Sequence, residues 1–107
     1  MPKPPAPPEE MANNARHAAV FLKTLAHEGR LMILCHLGSG EKSVGELESL
    51  LEIRQAAVSQ MLARLREEGL VATRRDGKTI YYSLANEDTS RVIALLYDIF
   101  CAGTDEA

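Results

Sequence analysis

The chain has two cysteines, Cys35 and Cys101, which stand 66 positions apart. Cys35 lies in an apolar run, LMILCHL, directly before His36. A thiolate is both a nucleophile and a ligand for soft metal ions, and a thiol pair can be oxidised reversibly. The cysteines therefore allow a redox switch, a metal site completed by a histidine, or an enzyme nucleophile, beside an ordinary role as small core residues.

The two cysteines differ in their predicted surroundings. On a helix, Cys35 shares a face with Leu31 and Leu34, which favours a buried position. The face that precedes Cys101 is more polar, and its positions are Ala94, Tyr97 and Asp98. We therefore expect Cys101 to be the more accessible thiol. A direct disulfide requires Cα atoms within about 7 Å, and a chain of extra sulfurs at about 2 Å per bond relaxes that demand.

The histidines and the other reactive residues give weaker indications of a metal site or a catalytic site. The three histidines are His17, His27 and His36, and none stands four positions from another. A metal site using both cysteines and one histidine stays open. The sequence has no Gly-rich phosphate loop, no acidic pair in a recognisable catalytic motif, and no nucleophile-and-base motif. We therefore predict that the protein is not an enzyme and has no cofactor.

Composition indicates the size of the domain and the cellular compartment of the protein. With 107 residues, 46% of them hydrophobic, and no Trp, the chain has room for one modest core and could bury further apolar surface against a second copy. No apolar run approaches the roughly 18 residues of a membrane span, and the N-terminus lacks a signal-peptide core. We expect a cytoplasmic protein, whose cysteines rest as thiols.

Five predicted helices and one hairpin must position the cysteines. All five prolines lie in residues 1–8, which predicts a disordered tail. A domain over residues 9–102 follows, and residues 103–107 form a flexible C-terminus. Apolar spacing predicts helices over about 9–24 and 27–37, and a capping box of Ser43 and Glu46 begins a third that runs through Leu51.

The fourth predicted helix begins at Gln55 and is followed by Gly69, a residue suited to a left-handed C-terminal cap. One face is apolar and consists of Val58, Met61, Leu62 and Leu65. The opposite face carries hydrogen-bonding side chains and a cation, namely Gln55, Ser59, Gln60 and Arg64. Such a face is suited to contact base edges in a DNA groove.

A hairpin over residues 71–84 follows, because Asp76-Gly77 is a strong two-residue turn signal between β-forming runs. Basic residues cluster at its tip: Arg74, Arg75 and Lys78. The last helix is predicted over about 87–102, with Asn86 as its N-cap. The fold class is thus mainly α with a β-hairpin wing, a winged helix-turn-helix in which the hairpin separates the fourth and fifth helices.

Charge segregation supports DNA binding. The chain has a formal net charge of −3, but residues 54–78 hold six basic side chains against three acidic ones. Neutralised phosphates release counterions, so a basic segment favours a polyanion partner. The expected DNA-binding residues are Arg54, Gln55, Ser59, Gln60, Arg64, Arg74, Arg75 and Lys78. A winged-helix module that binds only protein is the alternative.

Residues from about 20 to 101 resemble the ArsR-type bacterial repressors. The matching segments are FLKTLAHEGRLMIL, SVGELESLL, RQAAVSQMLARLREEGLV and RRDGKTIYYSL. The resemblance implies a homodimer joined through its first and last helices and released from its operator by an inducer. Because a two-fold dimer presents two DNA-reading helices, we expect the operator to be an inverted repeat. Many relatives sense metals through a Cys-x-Cys where this chain has Val44-Gly45-Glu46, or through last-helix histidines that it lacks.

The cysteine pair is similar to that of the persulfide-sensing branch of this family. That resemblance implies that Cys35 and Cys101 are joined by a sulfur chain in response to persulfides or polysulfides. It further implies release of the repressor from sulfide-oxidation genes. Two other inducers stay open: a thiophilic metal held by the cysteines, and a general thiol oxidant.

Overall fold

A computed structural model describes residues 7–101 of the chain. The elements in order are α1 (Pro8–Leu25), α2 (Glu28–Leu37), β1 (Lys42–Ser43), α3 (Val44–Leu51), α4 (Gln55–Glu67), β2 (Val71–Asp76), β3 (Thr79–Leu84) and α5 (Glu87–Phe100). The strands form one antiparallel sheet in the order β1-β3-β2. This arrangement confirms the predicted mainly α fold with a β-hairpin wing, and "wing" below means residues 71–84.

The predicted terminal segments fall mostly outside the described residues. Residues 1–6 and 102–107 are not described, so the expected disorder of the two ends stays a prediction. Pro8, which we placed in the tail, instead begins α1, with Pro7 as its N-cap. Proline is favoured in the first turn of a helix because the amide hydrogen that it lacks would have no partner there.

Side-chain caps fix where three helices begin. The Ser43 hydroxyl accepts from the Glu46 backbone N–H at 3.2 Å, and the Glu46 carboxylate accepts from the Ser43 N–H at 2.8 Å. This is the capping box predicted for α3. The Asn86 Oδ1 accepts from the Thr89 N–H at 2.8 Å, as predicted for α5. His27, predicted as the first helical residue of α2, is instead its N-cap and accepts from the Arg30 N–H.

The sheet departs from the prediction in two places. The hairpin turn lies one residue later than expected, because Asp76 pairs with Thr79 and the two-residue loop is Gly77-Lys78. Gly77 has a φ of 64°, which suits glycine at the first position of such a loop. The strand β1 was not predicted, since two residues are too few to show an alternating pattern.

The hydrophobic core lies where α2, α3 and α4 meet the base of the wing and α5. Ile33, Leu34, Leu47 and Leu62 are fully buried in it. The predicted apolar face of α4 is confirmed, because Val58, Leu62 and Leu65 are buried and Met61 is partly buried. Burial of this face leaves the opposite face of α4 toward solvent.

Two helices leave much of their apolar surface uncovered in the single chain. Every residue from 7 to 20 of α1 and its approach is exposed. Leu22 on α1 is 58% exposed, while Ile99 and Phe100 on α5 are 60% and 72% exposed. Exposed apolar side chains in such numbers on one small chain mark an interaction surface. Within residues 7–101, no helix is both long and apolar enough to cross a membrane.

Candidate nucleic-acid interface and cysteine pair

The polar face of α4 is presented to solvent by a short, constrained turn. Glu52, the C-cap of α3, has a left-handed conformation with φ 56°, and Arg54 caps the beginning of α4. Gln55, Ser59 and Gln60 are all exposed. A helix fixed to the core by one face and carrying exposed donors and acceptors on the other can lie in the major groove.

Arg64, on the same face, is held by a carboxylate. Its Nε donates to Glu68, which also accepts a 2.6 Å hydrogen bond from the buried Thr24 hydroxyl of α1. The Thr24 carbonyl in turn accepts from Arg30 Nε at 2.9 Å. The hydrogen bond from Thr24, followed by that from Arg64, lowers the pKa of Glu68. The network therefore ties the end of α4 to α1, and it explains an acidic residue at a helix C-terminus, where the helix dipole disfavours it.

Replacing Thr24 with valine should lower the free energy of unfolding at neutral pH, because a buried hydroxyl that hydrogen-bonds a carboxylate is lost. The pKa of Glu68 is lowered by folding, so its contribution is present above its ordinary pKa and is lost as pH falls through the folded value. The stability difference between Thr24→Val and the unmodified protein should thus shrink below about pH 4. Urea unfolding at several pH values measures this, and a difference that grows in acid would contradict it.

The basic residues of the wing are not equivalent. Both Nη2 and Nε of Arg74 donate to Glu41, and its guanidinium lies 4.8 Å from the centre of the Tyr81 ring. The hydrogen bond from Arg74 lowers the pKa of Glu41. Arg75 and Lys78 are exposed near the tip. The count of charges over residues 54–78 did not include Glu41, which lies before that segment. The Glu41 carboxylate counters the charge of Arg74.

Sequence reasoning missed both carboxylates. Glu41 lies 33 positions from Arg74, and Thr24 lies 44 positions from Glu68. No local spacing pattern relates residues so far apart. A partial signal was present at Glu68, since an unexplained acidic residue in the last turn of a helix suggests a partner from elsewhere.

The fold brings the two cysteines to one junction between α2 and the end of α5. Both are free thiols and both are partly buried. Their burial therefore does not distinguish Cys101 as the more accessible thiol, which we had expected. Cys101 is the C-cap of α5, and its N–H donates to the Tyr97 carbonyl at 2.7 Å. Burial, and secondly the negative charge of the Cys101 thiolate, raise the pKa of Cys35. This effect and the contact between α2 and α5 place the two thiols in one region of the fold.

The histidines are not gathered around these thiols. His27 uses its Nδ1 as the cap of α2, and His17 is exposed on α1. His36 follows Cys35 on α2 and is partly buried. Within residues 7–101, no three histidine, cysteine or acidic side chains converge as a set of metal ligands.

Comparison with known proteins identifies the family. Residues 27–73 match the family model for bacterial regulatory proteins of the arsR family. The chain is 54% identical to the biofilm growth-associated repressor of Agrobacterium fabrum, over 86% of this chain and 79% of that protein.

Solved structures agree with this match. Reduced HlyU from Vibrio cholerae is 47% identical with a TM-score of 0.84, over 87% of this chain and 98% of that one. The transcriptional repressor BigR from Xylella fastidiosa is 46% identical with a TM-score of 0.83, over 91% of this chain and 96% of that one. These relatives are transcriptional regulators and not enzymes, as predicted. The chain belongs to the arsR family of bacterial regulatory proteins, and its fold is the winged helix-turn-helix.

Proposed function

We propose that this protein is a dithiol-based transcriptional repressor that binds operator DNA when reduced and releases it when Cys35 and Cys101 are cross-linked by a persulfide or polysulfide. The observation that carries the proposal is that Cys35 on α2 and Cys101 at the end of α5, 66 positions apart in sequence, belong to helices that contact each other, and that the charge of the Cys101 thiolate contributes to the raised pKa of Cys35. Two similar proteins are described as repressors, and HlyU from Vibrio cholerae is described as a transcriptional activator whose solved structure is the reduced form. The repressor acts in the cytoplasm, and sulfide-oxidation genes are its proposed targets.

The DNA-binding form is a homodimer joined through α1 and α5. The exposed apolar side chains of both helices support this assembly, because a second copy would remove them from water. Two-fold dimers place their DNA-reading helices about 34 Å apart, which matches successive major grooves and requires an inverted repeat. Ser59 and Gln60 contact bases, with Gln55 near the helix start and Arg64 reaching a base or a phosphate. Arg54, Arg74, Arg75 and Lys78 bind the phosphate backbone.

The switch begins at Cys101. Its thiolate attacks the outer sulfur of a persulfide, the sulfur–sulfur bond of the donor breaks, and the donor leaves as a thiol. Burial raises the pKa of Cys35, which makes its thiolate scarcer and its attack on a donor slower, so Cys35 reacts second. The Cys35 thiolate then attacks the outer sulfur of a second donor, whose sulfur–sulfur bond breaks and which leaves as a thiol, so that Cys35 also becomes a persulfide. The terminal sulfur of the Cys101 persulfide then attacks the inner sulfur of the Cys35 persulfide, which joins the residues through one added sulfur and releases hydrogen sulfide.

The cross-link changes DNA affinity because it ties two elements with different roles. α5 is part of the proposed dimer interface, and α2 packs against α4. An inducer shifts a conformational equilibrium only by its differential stabilisation of the two states. A hundredfold loss of operator affinity corresponds to about 2.7 kcal/mol of coupling, which is within the range of known allosteric proteins.

Operator binding in two redox states tests the proposal. The reduced protein should bind an inverted-repeat duplex, selected from a random library, far more tightly than a scrambled duplex. Treatment with a persulfide donor should weaken operator binding about a hundredfold, and dithiothreitol should restore it. Equal affinity for the selected and scrambled duplexes would indicate a module that binds no specific DNA. Equal affinity of the reduced and treated proteins would remove the redox switch.

Substitutions in the wing should separate phosphate contacts by their dependence on salt. Arg75→Ala or Lys78→Ala should lower the slope of log affinity against log salt by about 0.9 for each lost phosphate contact. Arg74→Ala should lower it less, because Glu41 already counters that charge. Gln60→Ala should instead reduce discrimination between operator and scrambled duplex with little change in slope. Fluorescence anisotropy over a salt series measures all four, and equal slopes for Arg74→Ala and Arg75→Ala would contradict the ranking.

A further inference from the structure

A cavity of about 350 Å³ lies beside Cys35. Its wall is formed by the C-terminal end of α2, the last residue of β3, and one face of α5. Leu84, Ile93, Ala94 and Tyr97 line it together with Cys35. The cavity is at the lower end of the roughly 300–1,000 Å³ range of small-molecule sites. It therefore has room for a compact ligand in contact with a thiol.

The residues of the cavity wall disfavour a charged ligand. The residues that line the cavity include no Lys, Arg, Asp or Glu. Two serine hydroxyls on the wall already donate to their own backbone, since Ser39 Oγ donates to the His36 carbonyl at 2.9 Å and Ser90 Oγ to the Asn86 carbonyl at 3.2 Å. Most of the exposed wall surface is apolar. Lys42, which does not line the cavity, donates from Nζ to Ser39 Oγ at 3.2 Å, and the apolar remainder of the wall would offer a charged group no partner in exchange for its hydration.

We propose that this cavity binds the organic group of the sulfur donor, and that the preferred donors are compact, uncharged organic persulfides. The inference rests on the proposed function for the chemistry that follows binding. Cys35 lines the cavity, and Cys101 lies one helical turn after Tyr97, whose carbonyl accepts its N–H. A donor whose organic group lies against Ile93 and Leu84 presents its sulfur to the thiol pair.

Binding of the organic group accelerates the first sulfur transfer by holding the donor beside Cys35, at the contact between α2 and α5 where Cys101, the attacking residue, ends α5. In that step the Cys101 sulfur bonds to the outer sulfur of the donor, and the sulfur–sulfur bond of the donor breaks. The organic thiolate leaves and takes up the proton that the Cys101 thiol lost, so one thiol and one persulfide give one new persulfide and one thiol. Inorganic polysulfides lack the organic group and do not gain from the cavity.

Binding is tested separately from reactivity with an analogue that has no sulfur–sulfur bond. Benzyl methyl sulfide, titrated into the reduced ¹⁵N-labelled protein, should cause saturable NMR shifts at Leu84, Ile93 and Ala94. S-methylglutathione, which carries charges, should cause none. Ala94→Leu fills the cavity and should weaken binding at least tenfold. Ala63→Leu makes the same change at an exposed helical position outside the cavity wall and should leave binding unchanged.

Cross-linking rates give the second measurement. Benzyl persulfide should cross-link the unmodified protein several-fold faster than glutathione persulfide does. Ala94→Leu should abolish that preference. The cross-linking rate of Ala94→Leu with inorganic hydrogen disulfide should equal that of the unmodified protein. Ser90→Leu, which fills the cavity from another position, should behave as Ala94→Leu does. Absence of saturable binding, or binding insensitive to both filling substitutions, would overturn the cavity site even if persulfides still released DNA. Saturable binding without any cross-link would instead overturn the proposed sensing function and the donor role with it.

Discussion

Cys35→Ser and Cys101→Ser are each expected to bind operator DNA as tightly as the unmodified protein in its reduced form, and to lose the roughly hundredfold release caused by a persulfide donor. Serine is close in size to cysteine, and neither thiol is within the polar face of α4 or the wing, so DNA contacts are unchanged. A cross-link needs both sulfurs, and therefore one substitution removes the whole response. Anisotropy titrations of each variant, reduced and donor-treated, measure the effect.

The pattern across the two variants identifies the order of events. In Cys35→Ser, Cys101 should still gain a persulfide, because the first attack needs only the Cys101 thiolate and the donor. In Cys101→Ser, sulfur transfer to Cys35 should be slow at neutral pH and faster as pH rises, since burial raises the pKa of that thiol. Release of DNA by either single variant after donor treatment would show that the switch does not depend on the pair.

Leu22→Asp is expected to convert the dimer to a monomer and to reduce operator affinity on the order of a hundredfold. Leu22 is 58% exposed on α1 in the single chain, and in the proposed dimer it is covered by the second copy. A carboxylate placed in an apolar interface costs about 2 kcal/mol or more. A monomer carries one DNA-reading helix and can bind only one half-site. Sedimentation velocity and operator titration measure the two effects.

Leu50→Asp is the matched control for this substitution. Leu50 is 46% exposed on α3, a helix outside the proposed dimer interface. The same change of leucine to aspartate there should leave the dimer intact, although an added negative charge near DNA can weaken binding in a salt-dependent way. A Leu22→Asp protein that sediments as a dimer, or a Leu50→Asp protein that sediments as a monomer, would place the interface elsewhere.

Local sequence patterns predicted most of the fold because the relevant forces are local. The capping box of Ser43 and Glu46, the cap at Asn86 and the apolar stripe of α4 each depend on spacings of three or four residues, which are visible in a sequence. The turn of the wing was placed one residue early, because strand pairing rather than the Asp-Gly pair decided the register. The strand β1 exists only through its pairing with β3, so its two residues carry no pattern of their own.

The polar contacts of α4 and of the wing could not be predicted in the same way. The bonds of Glu41 to Arg74 and of Glu68 to Thr24 join residues that only the folded chain brings together. The cysteines are an intermediate case, since their identity was plain in the sequence but their meeting depended on how α5 packs against α2. The cavity beside Cys35 belongs to the same class, because three elements distant in sequence form its wall.

Intact-protein and peptide mass spectrometry after treatment with a persulfide donor, hydrogen peroxide or glutathione disulfide tests the central claim most directly. With the persulfide donor we expect an intramolecular link between the Cys35 and Cys101 peptides that carries at least one added sulfur and accompanies loss of operator binding. Peroxide and glutathione disulfide should give neither the added sulfur nor a comparable release. A plain Cys35–Cys101 disulfide formed equally well by peroxide, with the same loss of DNA affinity, would contradict persulfide sensing and identify a general thiol-oxidant sensor.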